Sequence, residues 1–201
     1  MTYVTIADVR SAIGLSDTID DLSINLAISA AEDLIDGYCG RSFGTAGTVA
    51  TARVYSSTVP DLVAIDDATA ITLVETDPGL DGSWQDDWTS SDWQAEPLNG
   101  LNNGLSWPYT RLRAVGDYLY PPSNKAAVRV TGTWGWPAVP DAVKQATIQT
   151  TIRLFKRLDT PLGYGGGPDT GLLYVSRQLD GDVALLLAPY RRGPAIVGGI
   201  A

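Results

Sequence analysis

The chain has 201 residues, 44% of them hydrophobic, with a net charge of −9, one cysteine and no histidine. That length suits one domain with a real core plus an extended arm. The lone Cys39 excludes an internal disulfide, and the missing histidine removes the usual catalytic base and the commonest zinc ligand. The acid excess argues against nucleic acid gripped through Lys and Arg. No run reaches the roughly 18 apolar residues that span a bilayer, and no basic-then-apolar leader opens the chain.

In chain order, Thr5-Ile-Ala-Asp8 fits a capping box with Thr5 as N-cap, and Ile6, Val9 and Ile13 follow at helical spacing to a stop at Gly14. Ser16 or Asp17 can cap a second helix to about Tyr38. Ile19, Leu22 and Leu26 would start its buried stripe, and Ala27, Ala31, Leu34, Ile35 and Tyr38 would continue it. Cys39 reads as a small apolar residue near that helix's end. Residues 48–134 read as β structure and loops. Arg53–Ser56, Leu62–Ile65 and Ala70–Glu75 are strand-like, Asp77–Gly82 is a turn, and Trp84–Trp93 a further strand pair with a polar tip. Leu98–Gly104 and Pro121-Pro122 read as loops. Connections this short favour antiparallel hairpins over helical crossovers.

The stretch Val128–Arg157 joins a strand, a rigid aromatic turn and the longest clean helix. Val128, Val130 and Thr133 alternate with Arg129 and Thr131 as the inner residues of a half-buried strand, Gly132 and Gly135 allow a bend or close backbone approach, and Pro137 ends the strand. Pro140-Asp141 starts a helix whose apolar stripe is Val143, Ala146, Thr150 and Leu154, widened by Ile148, Ile152 and Phe155; Lys156 and Arg157 suit its C-terminal dipole. The expected fold is thus α+β: a small helical bundle, two N-terminal helices (5–13 and 17–38) plus a long C-terminal helix (141–158), with an inserted antiparallel β-hairpin region (48–134) and an extended C-terminal arm. The main domain would span 1–160 and the glycine-hinged arm 161–201.

Candidate chemistry is thin. Between Val54 and Thr110 there is no Lys or Arg, while Asp61, Asp66, Asp67, Glu75, Asp77, Asp81, Asp86, Asp87, Asp92 and Glu96 all fall there, the pattern of a solvated acidic face. Asp77, Asp81, Asp86 and Asp87 lack the spacing and closing Glu of a calcium loop. Paired carboxylates could serve a glycosidase and the tryptophans could stack on sugars, as a carbohydrate-binding module does, but no pair of acids stands out. No catalytic residue, cofactor or metal ligand is expected. Trp84, Trp88 and Trp93 are either subunit-interface anchors or local hairpin core. The arm, with Leu172, Leu173 and Tyr174 and then Leu185, Leu186, Leu187, Tyr190, Arg191 and Arg192, either docks on a neighbour or folds back on its own domain.

Several passages, in order, resemble the head-to-tail connector (adaptor) proteins of long-tailed bacteriophages, in the form common among phages of actinobacteria. They are Ala31–Phe43 closing the leading helix pair, a Trp-rich β insertion, Ala127-Val-Arg-Val-Thr-Gly-Thr-Trp-Gly-Trp-Pro-Ala-Val-Pro-Asp141, the helix with Gln145-Ala146 and Arg153–Arg157, and a tail with Leu179-Asp180 before Leu185–Arg192. The long Gly/Asn-rich region 94–126 departs from shorter members. The resemblance implies a structural virion protein of the neck, assembled in the host bacterial cytoplasm into a ring, typically of twelve copies, under the portal. Its implied partners are neighbouring copies of itself, the portal protein, engaged by the arm residues just named, and the next neck or tail protein. Genomic DNA would pass along a channel that the acidic residues keep from sticking. A stopper or tail-completion ring protein is the alternative reading of the same likeness.

Overall fold

The computed structural model describes residues 2–157, 164–165, 173–174 and 179–193. These fall into two compact units: a helical one drawn from Met1–Ser42 and Val139–Arg192, and a β unit formed by Phe43–Ala138.

In the helical unit the first helix, α1, spans Ile6–Ile13. The expected capping box is present: the Asp8 amide donates to Thr5 Oγ1 at 3.2 Å and the Thr5 amide to Asp8 Oδ2 at 2.8 Å. Gly14 ends the helix at φ +74°, a left-handed conformation that costs a residue without Cβ nothing. Helix α2 covers Asp21–Cys39, starting later than the capping signals predict. Asp17 instead accepts from the Ile19 amide at 3.3 Å and stabilises a turn, leaving Asp20 at the N-cap without a side-chain bond. Helix α3 covers Asp141–Arg157 and packs on both α1 and α2. A short helix, α4, covers Gly181–Leu187, continues as a 3-10 turn through Tyr190, and packs on α3. Tyr164–Gly165 and Leu173–Tyr174 form a two-residue antiparallel pair, β9 and β10.

Two readings of helix faces are corrected. Ile24, Ala27, Ile28, Ala31, Ile35 and Cys39 are the buried residues of α2. Ile19, Leu22, Leu26 and Leu34, expected inside, are exposed. The helix carries two apolar rows, and small Ala27 and Ala31 let α3 approach closely on one of them, which periodicity alone cannot choose. In α3 the buried face is Val143, Ala146, Thr147, Thr150 and Thr151, while Leu154, Ile148, Ile152 and Phe155 are half-buried. Thr147 Oγ1 donates to the Val143 carbonyl at 2.8 Å, which removes the cost of burying its hydroxyl.

The β unit centres on β2, Leu62–Thr76, one fifteen-residue strand where two short ones are predicted. Its register shifts between Ala64 and Ala68, between Ala68 and Ala70, and between Ile71 and Leu73, the irregularities that bend a strand. Strand β8, Val128–Trp134, pairs along β2, and β1, Thr51–Tyr55, pairs with β8 at the sheet edge. Along the rest of β2 run β7, Tyr109–Ala114, and β3, Asp86–Trp88, while β4, Trp93–Glu96, adds outside β7. Every one of these pairings is antiparallel. The predicted Trp84–Trp93 hairpin does not form, because β3 and β4 each find a longer partner elsewhere. Leu98–Gly104, read as a loop, holds a 3-10 turn and the start of a small hairpin, β5 (Leu101–Asn102) with β6 (Leu105–Ser106). Asn103 and Gly104 are its two turn residues, both at positive φ, as the Asn-Gly pair favours.

Strand β8 alternates buried and half-buried residues from Val128 to Trp134, so Gly132 and Trp134, not Thr133, complete its inner face. The core gathers Val63, Ile65, Val74, Leu112, Val128 and Val130 around Trp88, Tyr120 and Trp134.

Candidate functional site: docking surfaces

Charge is the first thing the β topology rearranges. The acidic run lacks its own cations, but pairing brings arginines in from β1, β7 and β8. Arg53 donates to Asp66 at 2.7 Å, and Arg113 to Glu96 and Asp61, each at 2.8 Å. Arg129 forms a two-pronged pair with the buried Glu75 while its guanidinium lies 4.8 Å from the centre of the Trp84 ring. Asp67 and Asp77 are also buried, accepting from Trp136 Nε1 at 3.0 Å and from the Gly82 amide at 2.8 Å. Asp81, Asp86 and Asp87 face water, while Asp92 is half-buried and accepts from the Thr89 amide at 2.7 Å. Three of the ten acids are therefore buried, and Asp61, Asp66 and Glu96 are held in ion pairs with arginines of other strands. Among the described residues, no group of three or more His, Cys, Asp or Glu could hold a metal ion.

The tryptophans are mostly structural. Trp88 is buried, stacked on Tyr120 at 4.6 Å and 13°, with Nε1 donating to Thr76 Oγ1 at 3.3 Å. Trp107 and Trp136 meet edge to face at 4.7 Å, and Trp134 donates to the Thr51 carbonyl at 2.8 Å. Trp84 and Trp93 are half-buried, Trp84 under Arg129 and Trp93 against the core. The arrangement offers no pair of bare, coplanar indole faces among the described residues, which a sugar-binding platform requires.

The candidate contact residues of the arm separate into two groups. Leu187 and Tyr190 are buried in the helical unit, where Val183 joins them. Burial, helped by the Asp141 charge, raises the Tyr190 phenol above its usual range. Leu185 is 74% exposed, Leu186 half-buried, and Arg191 and Arg192 exposed. The Arg191 guanidinium sits 4.9 Å from the Tyr38 ring centre, and the Arg192 amide donates to the Cys39 carbonyl at 2.7 Å, which anchors the chain where α2 ends. Leu173 and Tyr174 lie in the two-residue strand β10; Leu172 lies outside the described residues. Cys39 is buried, and desolvation pushes its thiol up to about 11, so it is inert.

Acids on α2 supply a pH-dependent term that sequence reading did not find. The Tyr3 amide donates to Glu32 Oε1 at 2.6 Å, and the Tyr3 hydroxyl to Asp36 Oδ1. Burial raises both carboxyls despite these bonds, and neighbouring Asp33 adds repulsion. The folded unit therefore binds protons at a pH where unfolded Asp and Glu, near about 3.9 and 4.3, have lost them. This contribution stabilises below the unfolded values and is lost as pH rises through the folded ones. Asp36→Asn, which keeps the acceptor for Tyr3, is expected to raise the melting temperature of the helical unit at pH 7. Circular dichroism melts should show that gain shrinking toward pH 4.

The leading segment, residues 3–71 and about a third of the chain, matches the family model described as phage gp6-like head-tail connector protein. Among solved structures the chain is similar to three from gene transfer agent (GTA) particles. The neck of the empty particle computed with C6 symmetry aligns at TM-score 0.55 and 16% identity over 98% of this chain and 93% of the other. The neck of the native particle computed with C12 symmetry aligns at 0.53 and 15% over 98% and 92%. The virion of the native particle aligns at 0.51 and 15% over 98% and 93%. At such identities these likenesses establish a common fold. No curated protein matches the chain.

Proposed function

We infer that the chain is a head-tail connector of a phage-like particle, a structural protein of the virion neck and not an enzyme. One observation carries this: a connector family model covers the leading helices and first strands, while the fold of nearly the whole chain follows that of neck proteins. No described helix is long and apolar enough to cross a membrane.

The finer reading is a ring, of twelve copies, beneath the portal, extending the DNA channel and docking the next neck protein. The necks with C6 and C12 symmetry support repetition about one axis. Portal contact falls to Leu172, Leu173, Tyr174, Leu185, Leu186, Arg191 and Arg192, with Leu187 and Tyr190 acting from inside as the struts that hold α4 in place. The water-facing Asp81, Asp86 and Asp87 suit a channel wall that phosphates slide past. Trp84 and Trp93, each half-open, remain subunit-interface candidates, whereas Trp88 supports the hairpin region from the core.

The test is negative-stain imaging and mass measurement of the full chain mixed with the portal protein of the same particle. Rings stacked on the portal, lost in a Leu185→Glu, Arg191→Glu double variant that still melts like the parent, are the expected result. A chain that neither rings nor binds the portal overturns the finer reading. Binding only to a preformed connector ring would instead assign the stopper role.

A further inference from the structure

Helix α2 is apolar on more sides than its own unit covers. Leu22, Leu26 and Leu34 are 75%, 66% and 45% exposed, with Ala30 exposed between the last two. These four follow at steps of four residues, a row of neighbours on a helix surface. Ile19, in the turn before the helix, is 85% exposed as well. Residues 22–31 contain no charged side chain, and Asn25 and Ser29 stand exposed beside the leucines. A helix with leucines on its water side has the composition of one covered on both sides, and such a patch marks an interaction surface.

The β unit carries a second patch of matching character. The β5–β6 hairpin and the turn before it expose Leu98, Leu101 and Leu105 at 56%, 50% and 52%. Leu101 pairs with Ser106 and Leu105 with Asn102, so the two leucines occupy opposite faces of a small tongue. Residues 97–110 also lack charge. The tongue is held in shape by its Asn-Gly turn and by the Trp107 amide donating to the Gly100 carbonyl at 2.8 Å, so little ordering cost remains for a partner to meet.

Resting on the connector reading above, we propose that the α2 leucine row of one copy receives the β5–β6 tongue of a neighbouring copy. A cyclic ring needs two different, complementary patches on each copy. Among the described residues these two patches, one on each unit, are uncharged over residues 22–31 and 97–110, as the core of an interface requires. Asn99, Asn102 and Asn103 of the tongue supply amides, and Asn25 and Ser29 of α2 the hydrogen-bonding groups to meet them.

Sedimentation velocity of the full chain, from micromolar to near-millimolar concentration, tests this with Leu26→Glu and Leu101→Glu. Both positions are exposed, so both variants should fold. Each alone is expected to weaken self-assembly at least tenfold. An equal mixture should give a one-to-one dimer and nothing larger, because each variant keeps the half that the other lacks. Either variant assembling as well as the wild-type chain, or a mixture that stays monomeric, overturns this contact and leaves the ring reading standing. A wild-type chain monomeric at every concentration overturns both. Loss of portal binding without loss of self-assembly in Leu26→Glu would reassign the α2 row to the portal.

Discussion

Gly135→Ala is expected to destabilise the β unit by about 3–5 kcal/mol. Gly135 sits at φ +106°, and an added Cβ would lie 2.7 Å from the Thr45 carbonyl carbon and 2.8 Å from the Ala46 nitrogen. Those are backbone atoms and cannot rotate away. They belong to a loop that crosses the Trp134-Gly135-Trp136 turn, with the Ala46 amide donating to the Trp136 carbonyl at 2.9 Å and the Gly47 amide to that of Trp134 at 3.0 Å. Relieving the clash breaks these bonds, each worth about 0.5–1.5 kcal/mol, and still leaves a positive-φ alanine costing about 1–3 kcal/mol. All six tryptophans lie between Trp84 and Trp136, so indole fluorescence during urea unfolding reads the β unit alone. Gly37→Ala is the control for an added Cβ with room around it: it lies in the last turn of α2 with nothing within 4 Å, and its circular dichroism melt should be unchanged or slightly raised. A Gly135→Ala protein with an unchanged fluorescence midpoint would show that the loop does not press on this turn.

The second large effect belongs to Leu187→Ala. Its side chain is fully buried in the helical unit beside Val183 and Tyr190. Removing three carbons there should cost about 2–5 kcal/mol, with the upper end applying if the short α4 cannot sink into the cavity. A unit of this size loses roughly 4–8 °C of melting temperature per kcal/mol, so a drop of ten degrees or more is expected in the helical signal at 222 nm. The tryptophan signal should hold, since no tryptophan lies in the helical unit. Leu185→Ala, two residues away and exposed, should leave stability within about 0.5 kcal/mol. The pair separates the two meanings of an arm residue: one keeps α4 folded onto α3, the other is free for a partner. Equal melting of both variants would place α4 off the bundle in solution. For the same reason, deleting the arm is a poor test of docking, since it removes Leu187 and Tyr190 with the exposed residues.

Local signals were legible where one short stretch carries a complete instruction. Thr5 to Asp8 closes its own capping box, Pro140-Asp141 opens α3, and Gly132 and Gly135 mark where backbones come within a Cβ radius of each other. The Asn103-Gly104 pair carries as clear a hairpin signal, but one diluted by the glycines and asparagines around it. Nonlocal choices were not legible. Nothing near Asp86 says that β3 will pair with β2, or near Trp93 that β4 will pair with β7.

The sequence by itself determined the α+β class, the two leading helices and the long helix with β structure between them, the absence of histidine and of an internal disulfide, and the resemblance to connector proteins. Tertiary structure alone decided which of two apolar rows on α2 turned inward, which acids of an apparently unpaired run met arginines from other strands, and which arm residues became core. Each of those is a choice between partners distant in the chain. Periodicity shows that a face must be covered, and packing geometry decides what covers it.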